Sequence, residues 1–324
     1  MAKKETQCCD TPYKTSCGGQ ALLEGIMMRG PKKQSIVVRK ADGSLDVTTS
    51  DIKPRTGWKN WPFIRGLFIF CGSMVNGVKA LMHSAELSED YAEEEENLTG
   101  LDKWINDHFE AEKAASIIIT IAAVLGIAFS IALFVLLPTA LTGLVGLVWK
   151  TMPLWFRAVL EGVMKVVIFF LYLYLVSRMK EIRRVFSYHG AEHKAIYCYE
   201  NGLELTVENV RKMPRHHPRC GTSFLFVVIA VSILLSIVIF TPLEIENTFL
   251  RMALHLVLLP FIVSITYEFN RYVGAHEGRI SRILRAPGMA MQNFTTFEPD
   301  DSMMEVAIEA LKLVLPEEQG EDKW

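Results

Sequence analysis

Apolar residues along this chain are gathered into blocks. The stretch 114–149 carries no charged side chain. A helix needs about 20 apolar residues to cross a hydrocarbon core of about 30 Å. Residues 115–137 meet that length, and Pro138 is expected to end the helix. The remainder, 139–149, is then too short to span and reads as re-entrant, interfacial or loop. Phe224–Phe240, closed by Thr241 and Pro242, is a second block, and 252–269, with His255 and Pro260, is a third. The fourth, 160–177, contains or adjoins Arg157, Glu161 and Lys165, spaced i, i+4, i+8 on one helical face. Two readings of this stripe are open. The simpler has paired charges snorkelling at an interface. The sharper has a polar stripe facing the bundle interior, where ionisable groups mark functional sites.

The polar segments predict smaller elements. Residues 20–28, 35–40 and 44–49 read as strands, with an Asp42-Gly43 turn joining the last two. Residues 60–82 are apolar, with Trp61, Phe63, Phe68 and Phe70, but are broken by Pro62, Arg65 and several glycines. They predict an amphipathic helix lying on a membrane rather than a fifth span. The acidic run Glu93 to Glu96 reads as a solvated linker. Near the end, 302–315 predicts an amphipathic helix with Met303, Val306, Ala307, Ala310, Leu311 and Val314 in one stripe. Ser302 and Glu305 form its capping box and Pro316 stops it. The expected fold is an α-helical integral membrane protein with about four transmembrane helices. Its units are a β-rich unit with interfacial helix and linker (1–110), the membrane domain with a His-rich loop at 178–222 (111–270), and a tail with its amphipathic helix (271–324).

Charge sets the expected orientation. The loop holds Arg178, Arg183, Arg184, Arg211 and Arg219, and the tail holds Arg271, Arg279, Arg282 and Arg285, while the 242–250 connection is acidic. The positive-inside rule then places both basic segments and both termini in the cytoplasm. Whole-chain composition adds exclusions. The 324 residues are 50% hydrophobic and 22% charged with net charge −2, and the mean hydropathy is +0.23. That is too apolar for a disordered chain and not basic enough for a DNA binder. Six cysteines do not make a disulfide scaffold. Cys8, Cys9 and Cys17 match no zinc spacing.

The candidate chemistry lies in the 178–222 loop. His189-Gly190-Ala191-Glu192-His193 is an H-x-x-E-H sequence. On a helix, His189 and His193 share a face and can share a metal ion, with Glu192 beside them as general base. Two completions of the ligand set are open. Glu268, at the end of the last block, would make a three-ligand hydrolytic site with an open position. His217 and Cys220 would make a closed structural site. The metal would be a divalent ion, zinc by preference, and Arg219 could stabilise an oxyanion. A metal-free reading, a His/Glu/Arg network stapling the loop to the bundle, competes with both. No phosphate loop, dinucleotide fingerprint or serine-hydrolase elbow occurs.

Together these motifs resemble a known family. Gly18-Gly19-Gln20-Ala21-Leu22-Leu23-Glu24-Gly25-Ile26-Met27-Met28-Arg29-Gly30, Tyr188 to Lys194, His217-Pro218-Arg219-Cys220-Gly221-Thr222-Ser223, Tyr267-Glu268, Pro287-Gly288, Gln292 and Thr295 to Asp300 are similar to the YqhQ-like family of bacterial membrane proteins. The likeness runs in order over residues 17–312. It implies a bacterial plasma-membrane location and a place among predicted metal-dependent enzymes, and it assigns no role to any residue. It also draws attention to Gln20, Glu24 and Arg29. These either line the site from a docked N-terminal unit or form surface salt bridges. The leading functional expectation is metal-dependent hydrolysis of a membrane-associated substrate. One alternative is a non-enzymatic membrane factor that binds protein-insertion machinery or ribosomes through the basic loop. Another is an oligomeric transporter using the Arg157/Glu161/Lys165 stripe. The bilayer is the expected partner, with a protein partner at the cytoplasmic face and no DNA.

Overall fold

A computed structural model describes residues 13–53, 56–87, 111–276, 278–318 and 320–323. Cys8, Cys9 and the acidic run at 93–96 lie outside the described residues. Four strands form an antiparallel meander, β1 (Gly18–Leu22), β2 (Gly25–Arg29), β3 (Lys33–Arg39) and β4 (Leu45–Asp51). The strand expected over 20–28 is instead part of a hairpin. Leu22 pairs with Gly25, so Leu23 and Glu24 form the turn, and Glu24 has φ +50°, a left-handed conformation uncommon outside glycine. The Asp42-Gly43 turn is as expected, with Asp42 accepting a hydrogen bond from the Ser44 amide at 2.8 Å and Gly43 at φ +82°.

The helices are α1 (Arg65–Glu86), α2 (Ala111–Ile131), α3 (Leu137–Val148), α4 (Leu154–Val176), α5 (Lys180–Glu200), α6 (Val207–Arg211), α7 (Thr222–Phe240), α8 (Thr248–Ala275), α9 (Arg279–Thr295) and α10 (Asp301–Lys312). Side chains alternate along β2, so its two faces feed two clusters. Ile26 and Met28 join Tyr188, Ala191 and Ala195 of α5 and Met304, Ala307 and Leu311 of α10 in one core. Met27 and Leu22 pack with Ala80 of α1 on the other face. The N-terminal sheet, the loop helix and the C-terminal helix therefore share one core, although they come from separate stretches of sequence.

Among the described residues, four helices are long and apolar enough to cross a membrane. They are α1, the continuous helix Thr120–Val148, α4 and α8. The number matches the expectation but the membership differs. Helix α7 is apolar from Phe224 to Phe240 and is shorter than these four, whereas α1 qualifies by length and composition. Nor does Pro138 end its helix. It sits at the first turn of α3, where a missing N–H is tolerated. The π-helical turn Ala132–Leu136 directly before it opens the ladder that the ring would otherwise meet.

The Arg157/Glu161/Lys165 stripe faces inward, against the snorkelling reading. All three side chains are buried. Glu161 accepts from Thr139 Oγ1 at 2.8 Å and from Arg251 Nη2 at 3.0 Å, and it pairs with Lys165 Nζ at 3.1 Å and with His255. Arg157 donates to the Glu246 carbonyl and to Thr248 Oγ1. One carboxylate thus ties α3, α4 and α8 together.

The C-terminal helix carries the predicted apolar stripe, but its cap is Asp300, which accepts from the Met303 amide at 3.0 Å. Ser302 donates to Asp300 and Glu305 pairs with Arg39 at 2.8 Å, so no capping box forms. Helix α9 was not anticipated. Removal of the Glu161 carboxylate leaves Arg251 and Lys165 buried without their counter-charge. Glu161→Ala is expected to cost about 3–5 kcal/mol, read as a lower unfolding midpoint of the purified chain in detergent. An unchanged midpoint would contradict this role.

Candidate functional site

Helix α5 places His189, Glu192 and His193 within slightly more than one turn. From Tyr188 to Cys198 every residue of the helix is buried, so its polar groups must find partners inside the protein. The core of α5 and α10 covers one side. On the other, the segment after α9 lies along the helix, where the Phe297 amide donates to the Phe186 carbonyl at 3.0 Å. Gly190 permits this approach. A Cβ built there would lie 2.1 Å from the Phe297 carbonyl oxygen. Lys194, at the same contact, donates to the Arg211 carbonyl at 3.1 Å and to Glu298.

The two histidines are oriented by backbone carbonyls. His189 Nδ1 lies 2.8 Å from the Thr295 carbonyl oxygen, and His193 Nδ1 lies 2.6 Å from that of Arg215. A carbonyl can only accept, so each Nδ1 carries the proton and each Nε2 presents its lone pair. His189 Nε2 sits 3.2 Å from Cys220 Sγ. His193 Nε2 is buried with no hydrogen-bond partner among the described residues. His189, His193 and Cys220 each offer one ligand atom, all within 4.8 Å of one another. Donors around a tetrahedral zinc stand about 3.3–3.8 Å apart, given bonds of about 2.0–2.3 Å, so this group fits such an ion with small adjustments.

Glu192 lies beside this group. Its Oε1 accepts from the Gly19 amide of β1 at 2.8 Å, while Oε2 is buried and unpartnered among the described residues. Burial pushes the Glu192 carboxyl above the usual carboxylate range, against the opposing effects of His189 and the Gly19 amide. Burial also holds His193 and His217 below the usual imidazole range, which keeps both rings neutral at pH 7 and suited to binding metal.

The remaining expected residues fall in three places. His217 stands next to His193, with ring centroids 5.6 Å apart, but its Nε2 faces Glu200 at 3.3 Å and it is outside the ligand group. Arg219, expected as an oxyanion donor, is held by the same Glu200, which also accepts from the Thr15 amide at 2.9 Å. Burial raises the Glu200 carboxyl, but the hydrogen bond from His217 and the Arg219 charge outweigh it and hold it below its ordinary value. Glu268 does not join the ligand group. It forms a bidentate pair with Arg65 of α1, at 2.7 and 2.6 Å. Glu24 turns away to Arg184 and the Tyr188 hydroxyl.

A cavity of about 530 Å³ collects the rest, including Gln20, Arg29, His189, Glu192, His193, His217, Arg219 and Cys220. Ser73 and Asn76 of α1 also line it. Sequence reasoning missed Glu200, although it continues the α5 face of His189 and His193 at i+11 and i+7, a spacing that helical periodicity exposes.

Gly190 is the tightest contact in this arrangement. Gly190→Ala is expected to lower stability by about 1–3 kcal/mol. Gly18→Ala, where a Cβ meets nothing within 4 Å, should be near neutral. Thermal unfolding of the two variants checks this, and equal midpoints would contradict the close-approach argument.

Comparison with known proteins places the chain. Residues 61–317 match the family described as "Protein of unknown function (DUF1385)". The chain is similar to the protein called "Uncharacterized protein YqhQ" from Bacillus subtilis (strain 168), with 32% identity over 309 residues covering 92% of each chain. No solved structure matches it. Since the family match extends over most of the chain and the relative aligns almost end to end, the protein belongs to the DUF1385 family, whose function is unknown.

Proposed function

We propose that this is a membrane-embedded hydrolase whose cavity beside α5 holds a divalent metal, zinc by its donor set, and acts on a membrane-associated substrate. One observation carries the reading. Both imidazoles are fixed through Nδ1 by backbone carbonyls, and among the described residues the buried Nε2 of His193 makes no hydrogen bond and stands beside Cys220. A buried polar atom without a partner is costly, and outer hydrogen bonds of this kind orient metal-ligating histidines. Two imidazoles and a thiolate suit zinc. Three protein ligands leave a fourth position for water or substrate, the pattern of catalytic rather than structural sites.

When bound, the ion would supply Lewis-acid polarisation of a carbonyl or phosphoryl oxygen. The chain's own groups do the rest. The Gly19 amide holds Glu192 by one oxygen, leaving Oε2 as the atom that takes a proton from the attacking water. A carboxyl raised by burial is better matched to that work near neutral pH. Glu200 neutralises Arg219 and steadies His217, so these side chains act as supports. The long apolar helices support insertion of the bundle. The basic loop and tail support placing the cavity and both termini on the cytoplasmic side, with α1 lying along the surface.

Elemental analysis of the full-length protein purified from membranes should find one zinc per chain. His193→Ala and Cys220→Ser should lose it, and Glu192→Gln should retain it. Membranes from cells carrying Glu192→Gln, compared with wild type by mass spectrometry, should accumulate the uncleaved substrate. Absence of stoichiometric metal in the wild type would overturn the metal reading. Identical membrane contents in wild type and Glu192→Gln would overturn hydrolysis.

A further inference from the structure

A second cavity of about 870 Å³ adjoins the first. Gln20, Ser73, Arg219, Cys220 and Thr222 line both, so the two spaces meet at the thiol of the ligand group. Their walls differ. The first is lined by the histidines, Glu192 and Arg29. The second is walled by Phe70 and Met74 of α1, Phe224 and Val227 of α7, Val273 of α8 and Leu284 of α9. The rings of Phe70 and Phe224 stack at 5.8 Å and join α1 to α7 along this wall. The groove thus begins at the first turns of α7 and the last turns of α8, where the apolar bundle meets the sheet-bearing part of the protein. Met74 and Leu225, which also line it, are well exposed.

We propose that the substrate is an amphiphile, with an anionic head at His189, His193 and Cys220 and one long apolar chain in the groove between α1, α7, α8 and α9. This rests on the metal-site reading above and adds the substrate class. The groove volume lies within the usual range for small-molecule sites, about 300–1,000 Å³, and such sites combine mostly apolar walls with a few convergent polar groups. Charge complementarity fixes the head. Arg29 lines the inner cavity, where the head would sit, and Arg271 and Arg285 line the groove. A membrane peptide is the other occupant to consider. It would pair with a strand edge, but at β1, the edge beside the cavity, the Gly19 amide is already committed to Glu192.

The test uses the full-length protein and a hexadecyl phosphate carrying a photoreactive group at the chain end. Labelled residues are mapped by mass spectrometry, and metal content is measured on the same samples. Labelling should concentrate on the groove segments 224–227 and 273–284 and should persist in excess inorganic phosphate. Val227→Trp, which fills the groove, should reduce labelling about tenfold, equivalent to 1.4 kcal/mol. Leu284→Trp provides the same test should Val227→Trp prove unstable. Val238→Trp, on the lipid-facing far end of α7 at 66% exposure, should leave labelling unchanged. Labelling spread evenly over lipid-facing helices, or indifferent to both groove-filling variants, would overturn the proposal. So would displacement by inorganic phosphate alone, or groove labelling by a hydrophobic photo-peptide and not by the alkyl phosphate. Full metal without groove labelling fails the amphiphile alone, and groove labelling without metal fails the metal reading alone.

Discussion

Helix α5 is buried from Tyr188 to Cys198 although this stretch carries two histidines, a glutamate and a lysine. Burial of polar groups is unfavourable unless each is bonded, and this requirement organises the surroundings. Glu192 draws in the backbone of β1. His193 draws in the loop before α7. His189 and Lys194 draw in the end of α9 and the segment after it. Three distant parts of the chain are thereby held against one helix. Among the described residues, two buried atoms of this stretch make no hydrogen bond, Glu192 Oε2 and His193 Nε2, and both belong to residues lining the same cavity.

The bundle has a second buried polar centre at the opposite end of α8. Arg251 and His255, near the start of that helix, meet Glu161, whereas Glu268, near its end, meets Arg65. Each carboxylate ties a neighbouring helix to α8, α4 at one end and α1 at the other. Removing one partner of a buried pair is costly because it leaves the other charge uncompensated. The pair at Glu268 also holds α1 beside the cavity, where its Ser73 and Asn76 form part of the wall.

Much of this was legible in the sequence. Blocks of apolar residues gave the long helices, and the H-x-x-E-H spacing put the two histidines and the adjacent carboxylate together on one helix. What was misread depended on contacts between segments. Pro138 reads as a stop because its preceding π turn has no local signature. Glu268 was drawn toward the site because sharing an end of the bundle does not determine contact. Arg65, which looked like an interruption in an apolar run, is its partner. The Arg157/Glu161/Lys165 face was visible, but its inward direction depends on Arg251 and His255, which lie 90 or more residues beyond. The capping box at Ser302 failed because Asp300, two residues earlier, is the better acceptor in place. Glu200 went unread since its role appears only when Thr15, His217 and Arg219 converge on it.

The central claim is that two imidazoles and one thiolate converge on a metal ion with one position left open. X-ray absorption at the zinc edge of the full-length protein, purified without added metal, tests it most directly. The account predicts a shell of two imidazole nitrogens at about 2.0–2.1 Å and one sulfur at about 2.3 Å, completed by a light atom, with the sulfur contribution lost in Cys220→Ser. A shell made only of oxygen, or a sulfur contribution that survives Cys220→Ser, would contradict it.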